Sequence, residues 1–545
     1  MTKLAVGDLA RMQAEQADTA RTDWIKVGTG TCGVAAGAEQ VFRVLADEVK
    51  KRGLAVDVRR VGCVGMCAME PLVEVGVQGA PRTMYGAVDE PVALRIIEEH
   101  VIGKRPLASN RAPGVAELGF REQGIETPPS CKQLRIVTRN CGMIDPSKVD
   151  DYIARGGYQA LESAIHKLGP EGVLREMKTS GLRGRGGAGF PTWLKWTFTR
   201  NANADQKYMI CNGDEGDPGA YMDRSVLESD PHSVIEGMLI AAFTVGASIG
   251  YFYIRAEYPL AVDRIENAIR QARRLGLVGD NILGSSFSCD LEVRLGAGAF
   301  VCGEETALMA SIEGKRGTPT PRPPFPSQQG LWKKPSNINN VETLASIAPI
   351  IQRGGAWYAG IGVGKSTGTK VFAVTGKVLN SGLVEVPLGT TIREIVVDTC
   401  GGVAQGRELK AIQTGGPSGG VIPADKFDTR ITYESLAELG SIMGSGGMIV
   451  MDDRDDMVDI ATFYMGFCVE ESCGKCAPCR IGGKQMLLLL EKVKARKATQ
   501  EDINLMTRLA TTMQKASLCG LGQTAPNPVL STYRYFRSEY ERLLS

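Results

Sequence analysis

Three cysteines, each separated from the next by two residues, constrain this chain most: Cys473, Cys476 and Cys479, in Glu471-Ser-Cys-Gly-Lys-Cys-Ala-Pro-Cys-Arg480. Two intervening residues let one loop wrap until three thiolates face a common centre, and the fourth ligand of such a cubane iron–sulfur cluster arrives from elsewhere in the chain. Cys519, in Ser517-Leu-Cys-Gly-Leu-Gly522, is the natural fourth. Lys475 and Arg480 offset the charge of an anionic cluster, and Pro478 stiffens the loop. A four-cysteine zinc site is the alternative, but zinc favours two separated Cys-x2-Cys pairs in a tetrahedral array, which three evenly stepped cysteines fit poorly.

At about 100–200 residues per domain, 545 residues predict several domains. Lys plus Arg number 63 against 61 for Asp plus Glu, so a net charge of +2 gives no electrostatic case for nucleic acid or an anionic membrane. The chain holds 14 cysteines, and its first thirty residues lack the apolar core of a signal peptide. That combination points to a reducing, cytoplasmic setting, where clustered thiols bind metal or sit buried. Gly237 to Ile254 carries no charge and is nearly long enough to span a bilayer. Its Ala/Leu/Met-rich first half suits a buried helix, and its aromatic, β-branched end suits a core strand, so no direct membrane span is expected.

Patterning divides the chain into a flexible N-terminus (1–21), a small α/β unit (22–105), a proline-bearing linker (106–130), a nucleotide-type α/β domain (131–368), a β-rich insert (369–454) and a helical bundle (455–545).

In Gly181-Leu-Arg-Gly-Arg-Gly-Gly-Ala-Gly-Phe-Pro191, five glycines fall within nine residues. Such runs let successive backbone N–H groups point at one anion, as phosphate-binding nests do, with Lys195 as a countercharge. A plain tight turn is the alternative. Cys211-Asn-Gly-Asp-Glu-Gly-Asp-Pro-Gly-Ala220 follows a strand-like run, so its polar groups fall where α/β folds place ligands. Gly296-Ala-Gly-Ala-Phe-Val-Cys-Gly-Glu-Glu305 repeats the design at the start of a helix. Carboxylates there are often caps. Beside a nest, Asp214, Glu215, Glu304 and Glu305, with Gly303 ahead of the last two, suit hydrogen bonds to ribityl or ribose hydroxyls.

Together with Asn339-Asn-Val-Glu-Thr343, these motifs resemble the flavin- and NADH-binding subunit of respiratory complex I and the diaphorase subunits of soluble NAD-linked hydrogenases and formate dehydrogenases. The resemblance covers about 131–545. It implies that Gly184, Arg185, Gly186, Gly187, Ala188, Gly189, Lys195, Asn212, Asp214, Asn339, Asn340 and Thr343 hold FMN. Phe190, Phe198 and Phe325 would offer ring faces to the nicotinamide and adenine, and Glu215 and Glu305 would contact the riboses of NAD(H). Glu215 would also repel a 2′-phosphate, favouring NADH over NADPH. The four C-terminal cysteines would ligate a [4Fe-4S] cluster.

The same resemblance makes the insert ubiquitin-like and the first unit a thioredoxin-like ferredoxin domain. Such domains usually present four cysteines to a [2Fe-2S] cluster. Here Cys32, Cys63 and Cys67 match, and Val27 occupies the first position. A cluster with a non-cysteine fourth ligand and a purely structural, subunit-docking role both stay open. Phe300 stands where the family usually has Tyr, and Arg322 where Lys or another polar residue is frequent. The expected reaction is hydride transfer between NADH and FMN, then single-electron steps through [4Fe-4S]. The expected partners are a thioredoxin-like [2Fe-2S] subunit and further redox subunits, and any membrane association would run through them. Alternatives are an NAD+-reducing or electron-bifurcating diaphorase, and a non-catalytic electron conduit.

Overall fold

Four strands, Tyr208–Gly213, Ile249–Arg255, Asp290–Gly296 and Ser336–Asn340, run parallel in one sheet, ordered with the third at one edge, then the second, the first and the fourth. The computed structural model describes residues 3–19, 23–114, 117–119 and 132–545. The strand order reverses beside Tyr208–Gly213, whose neighbours are the second and the fourth strands. In open α/β sheets a crevice forms at that reversal, outside the carboxyl ends of the strands. Asn212 and Asn340 lie at those two ends.

The uncharged segment splits as expected. Helix Pro231–Val245 is buried on almost every side, ends at Gly246 in the left-handed region (φ 80°), and leads into the buried strand Ile249–Arg255. Among the described residues no helix is long and apolar enough to cross a membrane.

The N-terminal unit is a five-stranded sheet ordered Val56–Val61, Asp23–Gly28, Val73–Gly76, Thr83–Tyr85, Arg111–Ala112, with only the first pair parallel. Helix Ala38–Lys51 and the helical run from Glu90 to Ile102 enclose a core that includes Ile25, Val27, Leu45, Val73 and Ile97. This is the expected thioredoxin-like arrangement with two short strands added. The last of them comes from the proline-bearing stretch expected to be a linker, where Leu107 is buried and donates its N–H to Tyr85 Oη (3.1 Å). Beyond that strand the linker is described at 113, 114 and 117–119, where Leu118 is buried, and Pro128 and Pro129 fall outside the described residues.

The N-terminus differs from expectation. Asp8–Thr19 is helical, Leu9 is fully buried, and Leu4 and Gly7 donate their N–H groups to Leu275 O (2.9 Å) and Glu162 Oε1 (2.7 Å) of the nucleotide-type domain. One leucine on a polar helix is a weak pattern in sequence. Its burial depends on a groove that residues far along the chain supply.

The β-rich insert is ordered Gly382–Pro387, Thr369–Gly376, Gly447–Asp452, Leu409–Thr414, Val421–Pro423. An antiparallel hairpin starts it, the strand Gly447–Asp452 returns parallel to Thr369–Gly376, and a helical turn at Glu394–Thr399 contributes Ile395 to the core. This is the ubiquitin-like β-grasp. It is fastened to the nucleotide-type domain by buried Glu385, which accepts the N–H groups of Ile136 (2.9 Å), Val137 (3.0 Å) and Thr138 (2.9 Å). A buried Lys370–Glu342 pair makes a second fastening. Helices Met457–Glu470, Ala477–Lys494 and Gln500–Ala516 form the body of the C-terminal bundle around Met465, Met486, Leu490, Ile503 and Met513.

Candidate active site

The glycine loop lies over the reversal crevice. Gly184 N–H donates to Phe190 O (2.9 Å) and Thr192 N–H to Leu182 O (3.0 Å), closing a tight turn before helix Thr192–Asn201. Gly187 (φ 118°) and Gly189 (φ 62°) take left-handed conformations. A Cβ at Gly189 would stand 2.6 Å from the Tyr433 ring, and one at Gly187 would stand 3.2 Å from Gly444 Cα. Backbone sign and close approach of the insert both require glycine at these two positions.

Arg185 points away from the crevice. Its fully buried guanidinium donates to Thr369 O (3.0 Å), Thr367 O (2.6 Å) and Tyr358 Oη (3.0 Å), while its backbone N–H occupies Thr343 Oγ1 (2.9 Å). Arg185 and Thr343, expected on the cofactor, are instead struts that fix the loop to the insert and to helix Val341–Ala345. Asn339 is similarly engaged, accepting from Trp196 Nε1 (2.9 Å).

Gly186, Gly187, Ala188, Asn212, Asp214, Glu215, Phe300, Gly303, Glu304 and Asn340 all line one cleft of about 640 Å³. That is the size of a small-molecule site. Its far wall comes from the insert, through Tyr433, Gly444 and Ser445. Glu304 caps helix Glu305–Ile312, accepting from Thr306 N (2.9 Å) and Ala307 N (3.0 Å). Asn340 caps the next helix through Glu342 N (2.9 Å). Glu215 accepts the N–H groups of Asp223 and Arg224, each at 3.0 Å.

Asp214 is different. Both carboxylate oxygens are buried and without a hydrogen-bond partner. Burial pushes the carboxyl up to about 7 against the opposing pull of Arg255. An orphaned acceptor in a cleft is what a hydroxyl-bearing ligand satisfies.

Lys195 Nζ pairs with Glu305 Oε2 (3.0 Å), whose other oxygen takes Arg322 Nη1 (2.7 Å). Burial alone would raise Glu305, but the two cations hold it below the usual carboxylate range. Neither Lys195 nor Glu305 lines the cleft. Phe190, Phe198 and Phe325 are 47%, 50% and 52% exposed, leaving ring faces free for stacking.

Cys473, Cys476, Cys479 and Cys519 surround one small pocket. Among the described residues no three His, Cys, Asp or Glu side chains are grouped to hold a single metal ion. Four thiols around one pocket supply the four cysteine ligands that a [4Fe-4S] cluster takes. Lys475 Nζ donates to Pro319 O (2.6 Å), and the Arg480 guanidinium donates to Gly474 O. Both cations therefore also brace the cysteine loop. Val301 and Leu521 line this pocket and the cleft alike.

In the N-terminal unit Cys32, Cys63 and Cys67 lie near enough to perturb one another's thiols. Val27, at the first of the four expected cysteine positions, is a fully buried core residue. The expected site residues thus separate into cleft lining, struts and an outlying ion pair. The residues that sequence reasoning does not find include Asp217 and Asp223, Gly520 and Thr524 of the C-terminal bundle, and those of the insert wall. The run Gly444-Ser-Gly-Gly447 is the local signal for the insert wall.

A glycine nest and an orphaned carboxylate at the reversal of a parallel sheet, sharing walls with a four-thiol pocket, define a nucleotide-linked flavin and iron–sulfur redox protein. The Nuo51 FMN-binding domain matches residues 177–349, and the NADH-ubiquinone oxidoreductase-F iron-sulfur binding region matches 459–543. The chain is 55% identical to the NADP-reducing hydrogenase subunit HndC of Solidesulfovibrio fructosivorans, over 75% of this chain and 83% of that protein. It is 42% identical to an NADH-quinone oxidoreductase subunit of Rhizobium meliloti (strain 1021), over 74% and 96%. A crystal structure of NAD+-reducing [NiFe]-hydrogenase in the H2-reduced state superposes with a TM-score of 0.67 at 29% identity, covering 99% of this chain and 88% of that one. The chain belongs to the Nuo51 family of NADH-quinone oxidoreductase subunits and their hydrogenase counterparts, oxidoreductases acting on NADH with FMN and a [4Fe-4S] centre.

Proposed function

We propose that the cleft exchanges hydride between NAD(H) and FMN, and that the four-cysteine pocket passes electrons singly to or from partner redox subunits. The observation that carries this reading is the pair of shared walls, Val301 and Leu521, which puts the two sites back to back. FMN, when bound, supplies the conversion between a two-electron hydride and single electrons.

The chain's own residues position and exclude. The Gly186–Gly189 backbone presents N–H groups ahead of helix Thr192–Asn201, a setting suited to a phosphate. Asp214 accepts from ribityl hydroxyls. The exposed faces of Phe190, Phe198 and Phe325 stack on the rings of the nucleotide. Glu305, held by Lys195 and Arg322 outside the cleft lining, would receive ribose hydroxyls of a nucleotide that extends beyond the cleft. Glu215 places negative charge where a 2′-phosphate would come, so the cleft favours NADH. Arg322 is committed to Glu305 at 2.7 Å and only partly offsets that bias.

The relatives are components of larger assemblies, which supports a thioredoxin-like [2Fe-2S] subunit and further redox subunits as partners here. Turnover toward NAD+ reduction is favoured by one observation: the likeness to the NAD+-reducing hydrogenase structure spans 99% of the chain and so includes the N-terminal unit.

Anaerobic absorbance titration with NADH, and in parallel with NADPH, tests the reading. Flavin bleaching by NADH at lower concentration than by NADPH is expected. Bound flavin that neither nucleotide bleaches would leave only an electron conduit.

A further inference from the structure

The three N-terminal cysteines stand at a seam. Thr31 donates its N–H to Glu228 Oε2 (2.8 Å) and its hydroxyl to Glu228 Oε1 (2.5 Å), and Cys63 donates its N–H to Ser229 Oγ (3.0 Å). Tyr221 adjoins the Cys67 thiol, and Arg224 Nη2 is 3.9 Å from Cys32 Sγ. The same Arg224 gives its backbone N–H to Glu215 Oε2 (3.0 Å) in the cleft wall. Helix Met222–Ser229 and the residue before it therefore touch both the cleft and the cysteines.

One more side chain enters this group. Glu70 uses Oε2 to accept Leu72 N–H (2.9 Å). Its Oε1 is shut off from solvent with no hydrogen-bond partner, and the carboxylate is near enough for its charge to push the Cys63 and Cys32 thiols up. A Cβ built on Gly28 would lie 3.4 Å from Glu70 Oε2 and 3.5 Å from Oε1, and one on Gly33 would lie 3.0 Å from Oε2. The carboxylate therefore packs against Gly28 and against Gly33, the residue after Cys32. It lies over the end of the strand that carries Val27, the position lacking its cysteine.

We propose that Glu70 is the fourth ligand of a [2Fe-2S] cluster held by Cys32, Cys63 and Cys67. Three thiolates and one carboxylate supply four anionic donors, the number a binuclear cluster requires. Gly65 N–H already points at Cys63 Sγ (3.3 Å), as donors around cluster sulfurs do. A subunit-docking role gives no reason for an orphaned carboxylate oxygen beside these thiols. Use of the cluster as an electron carrier rests on the function proposed above; its ligand set does not.

The test uses the full chain, reconstituted anaerobically with iron and sulfide, with iron quantified per chain and the dithionite-reduced protein examined by electron paramagnetic resonance (EPR). The wild type should hold about two irons beyond the roughly four of the cubane. Glu70→Ala should lose those two while the cubane signal and bound flavin stay unchanged. Glu70→Cys should keep them with altered g-values and a more negative midpoint, because thiolate donates more strongly than carboxylate. A wild type with only about four irons overturns the proposal. So does a Glu70→Ala or Glu70→Cys protein whose binuclear signal matches the wild type. Failure of flavin bleaching would sink the proposed function without touching this count.

Discussion

Lys195 Nζ lies 3.0 Å from Glu305 Oε2, so the lysine on the helix that follows the glycine loop is already neutralised by a carboxylate 110 residues further along the chain. Arg322 completes a three-member network around one carboxylate. Charge-assisted hydrogen bonds of this kind contribute about 1.5–3 kcal/mol when broken.

Glu305→Gln should therefore weaken NADH binding by roughly tenfold, the equivalent of about 1.4 kcal/mol, and leave flavin content unchanged. NADH titrations of the flavin-loaded variant check this, and an unaltered dissociation constant would remove Glu305 from the nucleotide site.

Asp214 makes binding pH-dependent. Burial raises its carboxyl to about 7 in the ligand-free protein, with Arg255 opposing. Hydroxyl donors favour the anion, so FMN affinity for the apoprotein should rise between about pH 6 and 8. Asp214→Asn should bind more weakly and flatten that rise. Stability runs the other way. The folded protein keeps a proton between the ordinary aspartate value and about 7 that the unfolded chain has lost, so this group's contribution falls as pH rises through that window. Asp217, also raised to about 7 by burial, leaves a residual slope in the variant. Fluorescence titrations and thermal melts across that range check both signs.

Cys519→Ser should remove the [4Fe-4S] signal and about four irons per chain, while NADH still bleaches the flavin. EPR of the reduced variant with a parallel iron assay separates cluster loss from unfolding.

Arg185→Ala should cost about 3–5 kcal/mol, because it leaves the carbonyls of Thr367 and Thr369 and the Tyr358 hydroxyl short of a buried donor. Both melting temperature and flavin retention should fall. Loss of flavin at an unchanged melting temperature would instead place Arg185 on the cofactor.

Local chemistry makes much of this legible in sequence. The stepped cysteines, the glycine run ahead of Thr192–Asn201 and the carboxylate pairs at element ends are readable because nests and caps are built by consecutive residues. The uncharged 237–254 segment splits into helix and strand where its residue types change. The N-terminal helix escapes such reading because Leu9 gains its burial from a partner surface that no neighbouring residue announces.

The sequence by itself determined which residue types could serve: thiols for iron, glycines for an anion, carboxylates for hydroxyls. Only the tertiary structure decided which of them are free to do so. Glu304, Asn340, Arg185 and Thr343 spend their hydrogen bonds on the fold, while Asp214 and Glu70 each keep a buried oxygen unpaired. The physical reason is that a polar group's availability depends on what already satisfies it. That is settled by segments such as the insert, which are distant in sequence and adjacent in space.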